Sequence, residues 1–373
     1  MNRPSDGGRM VIARPFGVPV DVTPTWFVVA GLITVGFAST VESAIPDIGA
    51  WKYAVSLTFA LLLYLSVLVH ELSHTLVALR AGLPVRRISL HLLGGESEIG
   101  KPAETAGREA GIAVAGPLVS LVLAGLAYLV GELLEPETIG RLLARALMVS
   151  NLIVGAFNLL PGLPLDGGRV VAAAVWRVTG RRHLGTQVAG WLGRFLAVLV
   201  LTAPFVLGAN DSRSIDLIDV VFTGLISAFI WVGASQSIQY ATVQQRMPGL
   251  HARELTRRAV PVEATMPLGE ALRRAHEAQA GALVVVSAGG DPIGLVVEAA
   301  VTAVPQDRRP WVAVGDFSRR LESGHVLTAD LSGEQLLAAM RDHPASEYLV
   351  VEPGAGIYGV LTTADVERRL VRS

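Results

Sequence analysis

Six runs of mainly apolar residues are the feature that most restricts how this chain can fold. A run of about 20 such residues matches the thickness of a bilayer's hydrocarbon core. In that medium the backbone must satisfy its own hydrogen bonds, which a helix does within one segment. We therefore expect a polytopic α-helical membrane domain. The predicted spans are residues 24–40, 51–79, 109–131, 142–160, 184–207 and 215–238.

Charged residues are unevenly distributed along the chain. Only 17% of the 373 residues are charged, against about 25% in a typical soluble domain. However, 30 of the 63 charged residues fall after position 243. We therefore expect a membrane-embedded domain at residues 1–243 and a soluble domain at residues 244–373, a size usual for one domain.

Basic residues in two of the loops predict the orientation of the spans. Arginine and lysine are concentrated at residues 80–108 and 169–182, while the alternate loops are acidic or mixed. Loops rich in lysine and arginine stay on the cytoplasmic side. Six spans then place both termini, and with them the soluble domain, in the cytoplasm. We expect a multi-pass protein of the cell (inner) membrane.

The second predicted span contains VLVHELSHTLV, in which an apolar helix holds two histidines and a glutamate. Ionisable groups at such depth are costly and are usually functional. His70 and His74 share one helix face, where two imidazoles can bind one zinc ion. Glu71 beside them can act as a general base toward water. The alternative is a histidine pair that packs inside a helix bundle without a metal.

A third zinc ligand is expected, because catalytic zinc sites commonly have three protein ligands and one open position. The candidate is Asp166, in the stretch NLLPGLPLDGGRV that follows the fourth span. His70 lies roughly 28 Å along the second span, near its cytoplasmic end, at 1.5 Å per residue. Asp166 follows the cytoplasmic end of the fourth span, so both lie at one membrane level. Alternatively, Asp166 forms a turn or caps a helix that starts near Arg169.

Two absences narrow the chemistry. The chain has no cysteine, which excludes disulfides, thiolate metal sites and thiol catalysis. It has no long basic run of the kind that indicates a nucleic-acid partner. Any metal must therefore be bound by histidine, aspartate or glutamate.

The soluble domain consists of two similar halves. GALVVVSAGGDPIGLVVEAAV (residues 281–301) predicts a strand, a turn, a second strand and the start of a helix. SEYLVVEPGAGIYGVLTTADV (residues 346–366) repeats that order, and a helical stretch precedes each half. Strands that alternate with helices indicate α/β units, and the repetition indicates a paired module.

The membrane domain resembles the site-2 protease family of intramembrane zinc metalloproteases. The resemblance rests on HELSH (70–74), NLLPGLPLDGG (158–168), GIAVAGPLVS (111–120) and HLLGG (91–95). It implies one zinc ion per chain, bound by His70, His74 and Asp166, with Glu71 as the catalytic acid and base. By the same resemblance, Asn158 binds the scissile carbonyl or its oxyanion.

The resemblance further implies that Gly94 and Gly95 belong to a small re-entrant β element that pairs with an unwound substrate strand. A helix hides its peptide bonds, and adding the segment as a strand at a sheet edge presents them. The alternative is an ordinary cytoplasmic turn. Glu96 and Glu98 are expected in a solvated loop. Gly116 and Pro117 are assigned to helix packing and a kink.

The soluble domain resembles a tandem pair of CBS modules, named after cystathionine β-synthase, with repeats at about 252–304 and 312–371. Such pairs often bind adenosine nucleotides. In the second repeat, GVLTTAD (359–365) fits the ribose-binding pattern, which implies contacts from Thr362 and Asp365. The first repeat has Val297 and Ala300 at the matching positions, so one of the two sites is expected to be inactive. The alternative is a purely structural module that forms a homodimer.

Taken together, these features predict a zinc metalloprotease that hydrolyses a peptide bond of a transmembrane protein, in regulated intramembrane proteolysis. The CBS pair would modulate the activity. A first alternative is a metal sensor or transporter gated by nucleotide, although a transport path needs more polar groups along its helices than these spans contain. A second alternative is a catalytically silent scaffold, against which the complete set of buried ionisable groups argues.

Overall fold

The structure is a computed structural model that describes residues 10–91, 94–211, 217–352, 354 and 356–371. The chain divides into two compact units, Met1–Ala241 and Thr242–Ser373. The first two residues of the sixth predicted span, 215 and 216, lie outside the described residues. The first unit is mainly helical, and the second alternates strands with helices.

Within the described residues, six helices are long and apolar enough to cross a membrane, which confirms the predicted polytopic fold. A further helix of the first unit, α5, has 14 residues and is too short to span a bilayer. The helices are α1 (Pro24–Ala44), α2 (Trp51–Arg80), α3 (Ala106–Leu133), α4 (Ile139–Asn158), α5 (Asp166–Thr179), α6 (Arg182–Asp211) and α7 (Leu217–Arg246).

Helix α2 is the central element of this unit, because it packs against α1, α3 and α4. The charged Arg194 of α6 points to α7. Its guanidinium donates hydrogen bonds to Ser235 Oγ at 3.0 and 3.1 Å. The same group lies over the rings of Trp191 and Trp231, 4.8 and 5.1 Å from their centroids. Hydrogen bonds and aromatic faces thus surround a charge that would be costly in lipid.

A four-stranded sheet lies beside α2 and contains the expected β element. Its strands are β1 (Met10–Ala13), β2 (Val20–Val22), β3 (Val85–His91) and β4 (Gly94–Ile99), in that order. Strand β2 runs parallel to β3, and β4 runs antiparallel to it. Val20 and Ile88, both fully buried, form part of a core that packs on the α2 residues Val67, Leu68 and Leu72. This core fixes β4 next to the helix that carries the two histidines.

The expectation that Glu96 and Glu98 lie in a solvated loop was wrong, since both belong to β4. Glu98 forms ion pairs with Arg86 at 3.2 Å and Arg87 at 3.1 Å on the neighbouring strand. Alternation between the two faces of a strand explains the pattern: residues 96 and 98 face one side, while 95 and 97 face the other. The glutamates therefore form the outer face of a strand whose inner face meets α2.

The second unit contains the two predicted α/β halves, each with one additional strand before it. The helices are α8 (Ala252–Leu255), α9 (Leu268–Glu277), α10 (Glu298–Thr302), α11 (Gly333–Asp342) and α12 (Thr363–Val371). The strands are β5 (Ala259–Glu263), β6 (Ala282–Val286), β7 (Pro292–Val296), β8 (Ser318–Arg320), β9 (Val326–Thr328), β10 (Glu347–Glu352) and β11 (Gly356–Thr362). They form two sheets, β5-β6-β7-β8 and β11-β10-β9.

The two halves share a hydrophobic contact. Val284 and Leu295 of the first sheet pack against Leu349 and Val360 of the second, and all four are buried. In each half the added strand pairs in parallel with the first strand of the hairpin, β5 with β6 and β9 with β10. The repetition seen in the sequence is therefore a repetition of one three-stranded unit.

Candidate metal centre

The two histidines of α2 and the aspartate that begins α5 come together at one point. His70 Nε2 lies 3.2 Å from His74 Nε2, and Asp166 Oδ2 lies 3.3 Å from each of these nitrogens. Both histidines are buried at 4% exposure. The spacing of four residues on α2 places the two imidazoles on one face, as predicted. Counting residues along the second and fourth spans had predicted that Asp166 and His70 lie at the same depth in the membrane.

Hydrogen bonds to the Nδ1 atoms hold both imidazoles with their Nε2 atoms toward the cluster. His74 Nδ1 lies 2.7 Å from the carbonyl oxygen of Ile112. A carbonyl only accepts, so Nδ1 carries the proton and Nε2 keeps a lone pair. His70 Nδ1 lies 2.9 Å from Ser120 Oγ. Both partners belong to α3, so this helix orients both rings in the way that supporting residues orient metal-binding histidines.

The geometry of the three atoms fits a zinc ion. Tetrahedral coordination with bonds of about 2.0–2.1 Å separates neighbouring ligand atoms by about 3.3–3.4 Å. The observed separations of 3.2 and 3.3 Å match that edge. Two imidazole nitrogens and one carboxylate oxygen are also a donor set that zinc takes in catalytic sites, with a fourth position left open. His70, His74 and Asp166 are therefore the residues that would hold the ion.

Gly116 of α3 provides the space in which the imidazoles meet. A Cβ atom at this position would lie 2.2 Å from His74 Nε2 and 2.5 Å from His70 Nε2. Real Cβ atoms essentially never come so close to another atom. Gly116 had been assigned to helix packing, and the structure adds a direct contact with both histidines.

Two glycines after Asp166 permit the tight turn that carries it. The Cβ of any residue at 167 would lie 2.3 Å from the carbonyl oxygen of Leu159, and at 168 it would lie 2.2 Å from the nitrogen of Leu163. The stretch between α4 and α5 therefore folds back tightly on the start of α5. Asp166 is the first residue of α5, with Leu165 at the N-cap. The helix therefore begins at Asp166 rather than near Arg169, and Asp166 is not its N-cap residue.

An ion-pair cluster connects the start of α5 to α3. Glu109 Oε1 accepts hydrogen bonds from Arg169 Nη2 at 2.9 Å and Nε at 3.1 Å, while Arg182 lies 3.4 Å from its other oxygen. Arg169 follows Asp166 by one turn, and Glu109 precedes Ile112 by one turn. The cluster therefore joins the helix that carries the aspartate to the helix that orients His74. Nothing in the sequence alone pairs residues 60 positions apart.

Glu71 lies beside the three candidate ligands and against β4. It offers a carboxylate oxygen within 4.8 Å of the ligand atoms of both histidines, and it is buried. Ser97 of β4 donates a hydrogen bond to Glu71 Oε2 at 2.8 Å. Gly95, two residues earlier on the same face, is so near that an added Cβ would lie 2.3 Å from Glu71 Cγ. The acid predicted as the base is thus held between α2 and the edge strand.

Asn158 is the last residue of α4, and its side chain is directed along its own helix. Its amide donates a hydrogen bond to the carbonyl oxygen of Val154 at 3.1 Å. Asn151 of the same helix is more deeply buried, at 2% exposure, and donates to Ser66 Oγ at 3.2 Å on α2. Binding of the scissile carbonyl by Asn158 stays a prediction. The contact between Asn151 and Ser66 was not foreseen from the sequence.

In the second unit, the side chains of Thr362 and Asp365 are in contact, and an arginine forms an ion pair with the Asp365 carboxylate. Thr362 Oγ1 donates a hydrogen bond to Asp365 Oδ2 at 2.8 Å. Arg257 makes two contacts with the same carboxylate, at 2.7 and 2.9 Å, and it also pairs with Glu298 of the first repeat. Burial alone would raise the pKa of Asp365, but the hydrogen bonds from Arg257 and Thr362 outweigh it and lower that pKa. Arg257 and Thr362 line a cleft of about 860 Å³.

Comparison with known proteins connects this geometry to one family. The model of Peptidase family M50 matches residues 58–146 and 136–203, which include both histidines and the aspartate. The chain is also 30% identical over 364 residues to a protein of Synechocystis sp. that bears the name "Putative zinc metalloprotease". That alignment covers 96% of this chain and 94% of the relative.

Two solved structures resemble separate parts of the chain. The site-2 protease from Methanocaldococcus jannaschii aligns at 26% identity and a TM-score of 0.43, covering 62% of this chain and 95% of that one. The CBS domain of a bacterial CNNM/CorC family Mg²⁺ transporter aligns at 18% identity and a TM-score of 0.29, covering 39% of this chain and 94% of that one. With the relative matched over nearly its full length, the chain belongs to Peptidase family M50, the site-2 protease family, and is a multi-pass intramembrane zinc metalloprotease with a C-terminal CBS pair.

Proposed function

We propose that the chain hydrolyses a peptide bond of a membrane-spanning protein at the cluster formed by His70, His74 and Asp166. The observation that carries the proposal is the meeting of three ligand atoms at separations of 3.2 to 3.3 Å, with the Glu71 carboxylate beside them. When bound there, zinc supplies a Lewis acid and lowers the pKa of water so that hydroxide is available at neutral pH.

Glu71 moves the proton in this reaction. Its carboxylate accepts a proton from the attacking water as the oxygen adds to the scissile carbonyl carbon. The same proton then passes to the amide nitrogen, the C–N bond breaks, and a carboxylate and an amine leave. Asn158 is proposed to donate a hydrogen bond to the carbonyl oxygen as negative charge develops on it. To do so, its amide must leave its present acceptor, Val154.

Strand β4 is the proposed binding site for the substrate backbone. Among the described residues it forms an edge of the sheet, because the strand order ends with β3 and then β4. An extended segment can add to such an edge through main-chain hydrogen bonds. Gly94 and Gly95 begin β4, and Gly95 touches Glu71. A substrate strand paired with β4 would therefore run close to the base.

The test is cleavage of a single-span substrate by the purified full-length protein. Glu71→Gln should bind zinc in the wild-type amount and lose at least 10²-fold in kcat, as loss of a general base typically costs about 10²–10⁴-fold. His74→Ala and Asp166→Ala should lose both zinc and activity. Glu104→Gln removes an exposed acid that pairs with Arg108 and serves as the matched control. Wild-type cleavage by Glu71→Gln would overturn the proposal.

The proposed setting is the cell membrane, with both termini in the cytoplasm. The basic loops at residues 80–108 and 169–182 support that orientation through the positive-inside rule. Single cysteines introduced at residue 104 and at residue 136 of this cysteine-free chain would report it. A membrane-impermeant thiol reagent applied to intact cells should label residue 136 and leave residue 104 unlabelled.

We further propose that the CBS pair binds an adenosine nucleotide at Thr362 and Asp365 and forms a homodimer. The adjacent hydroxyl and carboxylate support the ribose contact, and the first repeat has Val297 and Ala300 instead. Titration of the full chain with AMP and ATP should show one site per chain that Asp365→Ala abolishes. Dimer formation is tested by the mass of the particle in detergent, corrected for bound detergent.

A further inference from the structure

Ser97 of β4 makes three side-chain contacts, two with Glu71 and one with Thr75. Its hydroxyl lies 2.8 Å from Glu71 Oε2 and 3.2 Å from the backbone oxygen of the same residue. The hydroxyl of Thr75, one turn further along α2 and fully buried, donates to Ser97 Oγ at 3.3 Å. The three groups thus form a chain that leads from Thr75 through Ser97 to the carboxylate. A hydrogen bond to a charged acceptor is the stronger kind.

The face of β4 that carries Ser97 is built around Glu71. Gly95 and Ser97 are two residues apart, so their side chains point to the same side of the strand. At Gly95 an added Cβ would lie 2.3 Å from Glu71 Cγ and 3.0 Å from Cδ. A glycine therefore lets the strand approach, and a serine two residues later makes the polar contact. Opposite Ser97 in the sheet is Ile88, which is fully buried and points to the same side.

We propose that Ser97 is a positioning residue for peptide hydrolysis. Its hydroxyl holds the Glu71 carboxylate in the orientation from which it accepts the proton of water. Because Ser97 lies on the edge strand proposed to bind substrate, the same contact couples the position of the base to the position of that strand. The inference rests on the proposed function, since it takes Glu71 as the base.

The experiment measures kcat, KM and bound zinc for the full-length protein with a single-span substrate. Ser97→Ala should lower kcat by about tenfold to a hundredfold, the range for losing a hydrogen bond to a charged group. KM should stay within about twofold and zinc should stay at the wild-type amount, because the hydroxyl orients a proton acceptor and touches neither ligand nor substrate. Ser97→Thr retains the hydroxyl and should recover most of kcat.

Ser89→Ala is the matched control. Ser89 lies on β3 opposite Glu96, so it faces the other side of the same sheet, and its removal should leave kcat and KM unchanged. The double variant Glu71→Gln with Ser97→Ala gives the decisive comparison. If Ser97 acts through Glu71, the double variant is no slower than Glu71→Gln alone.

Three results would overturn the inference. The first is a Ser97→Ala variant with wild-type kcat. The second is a rise in KM at unchanged kcat, which would assign Ser97 to substrate binding. The third is a double variant slower than Glu71→Gln by the full factor of Ser97→Ala. Failure of the proposed function is distinct, because in that case Glu71→Gln itself would cleave at the wild-type rate.

Discussion

Replacing Gly116 by alanine should destroy the metal centre through a single methyl group. The added Cβ would lie 2.2 Å from His74 Nε2 and 2.5 Å from His70 Nε2. Non-bonded contacts of this kind settle at about 3.5 Å, so each ring must move away by about 1 Å. The rings are tied to α3 by the hydrogen bonds of their Nδ1 atoms to Ile112 and Ser120. A ring cannot retreat from Gly116 without straining or breaking these bonds.

The expected loss is large for both binding and turnover. Disturbing the groups that orient metal ligands typically costs 10–100-fold in affinity. A displacement of about 1 Å at a catalytic group costs a further factor of about 10² in rate. We therefore expect Gly116→Ala to retain less than about 1% of wild-type activity at a zinc concentration that saturates the wild type.

The assay has three parts and an internal control. Zinc per chain is measured by elemental mass spectrometry, affinity by competition with a chelator, and activity by substrate cleavage. Gly125→Ala lies on the same helix at a position where an added Cβ meets nothing within 4 Å, so it should match the wild type in all three. Circular dichroism of the zinc-free proteins checks that Gly116→Ala still folds. A folded Gly116→Ala that binds zinc at wild-type affinity and cleaves would refute the steric reasoning.

Three further changes have defined outcomes. Glu109→Gln leaves Arg169 without its ionic partner, and the weakened connection between α3 and α5 should lower zinc affinity by about tenfold in the chelator competition. Arg194→Met replaces a charge held by a serine hydroxyl and two aromatic rings with an apolar chain of similar length. The free energy of thermal unfolding should change by less than about 1 kcal/mol, with zinc affinity unaltered. Asp365→Asn should destabilise the CBS pair at neutral pH. Because the pKa of Asp365 is lowered in the folded state, its contribution is complete above the unfolded carboxyl pKa of about 4 and is lost as the pH falls further. Hydrogen exchange of β11 in both proteins between pH 3 and pH 7 should therefore show a difference that closes at low pH.

The proximity of His70, His74 and Asp166 could be predicted from helix periodicity and from counting residues along the spans. The spacing of His70 and His74 predicts one helix face, and their Nε2 atoms lie 3.2 Å apart. The depth of Asp166 follows from helix rise and span orientation, and its carboxylate lies 3.3 Å from both nitrogens. These inferences need no knowledge of how neighbouring helices pack.

The parts that were not foreseen are contacts between elements distant in the chain. Ser120 lies 50 residues from His70, and Ser97 lies 26 residues from Glu71. A serine in an apolar span or a short strand has no pattern that names its partner. Strands β1 and β2 escaped notice because they have four and three residues, too few to show alternation. The contacts of Ser97 and Ser120 with the site follow from how the helices and the sheet pack together.

Because small and acidic residues alternate along β4, the register of this strand decides which side chain faces Glu71. With Ser97 facing Glu71, the exposed side of the strand carries Glu96 and Glu98. A shift of the strand by one residue exchanges its two faces and would set a second carboxylate against Glu71 at the position of the serine. Two carboxylates without a shared proton repel each other. The register that sets Ser97 against Glu71 is therefore also the one that keeps Glu96 and Glu98 away from that carboxylate.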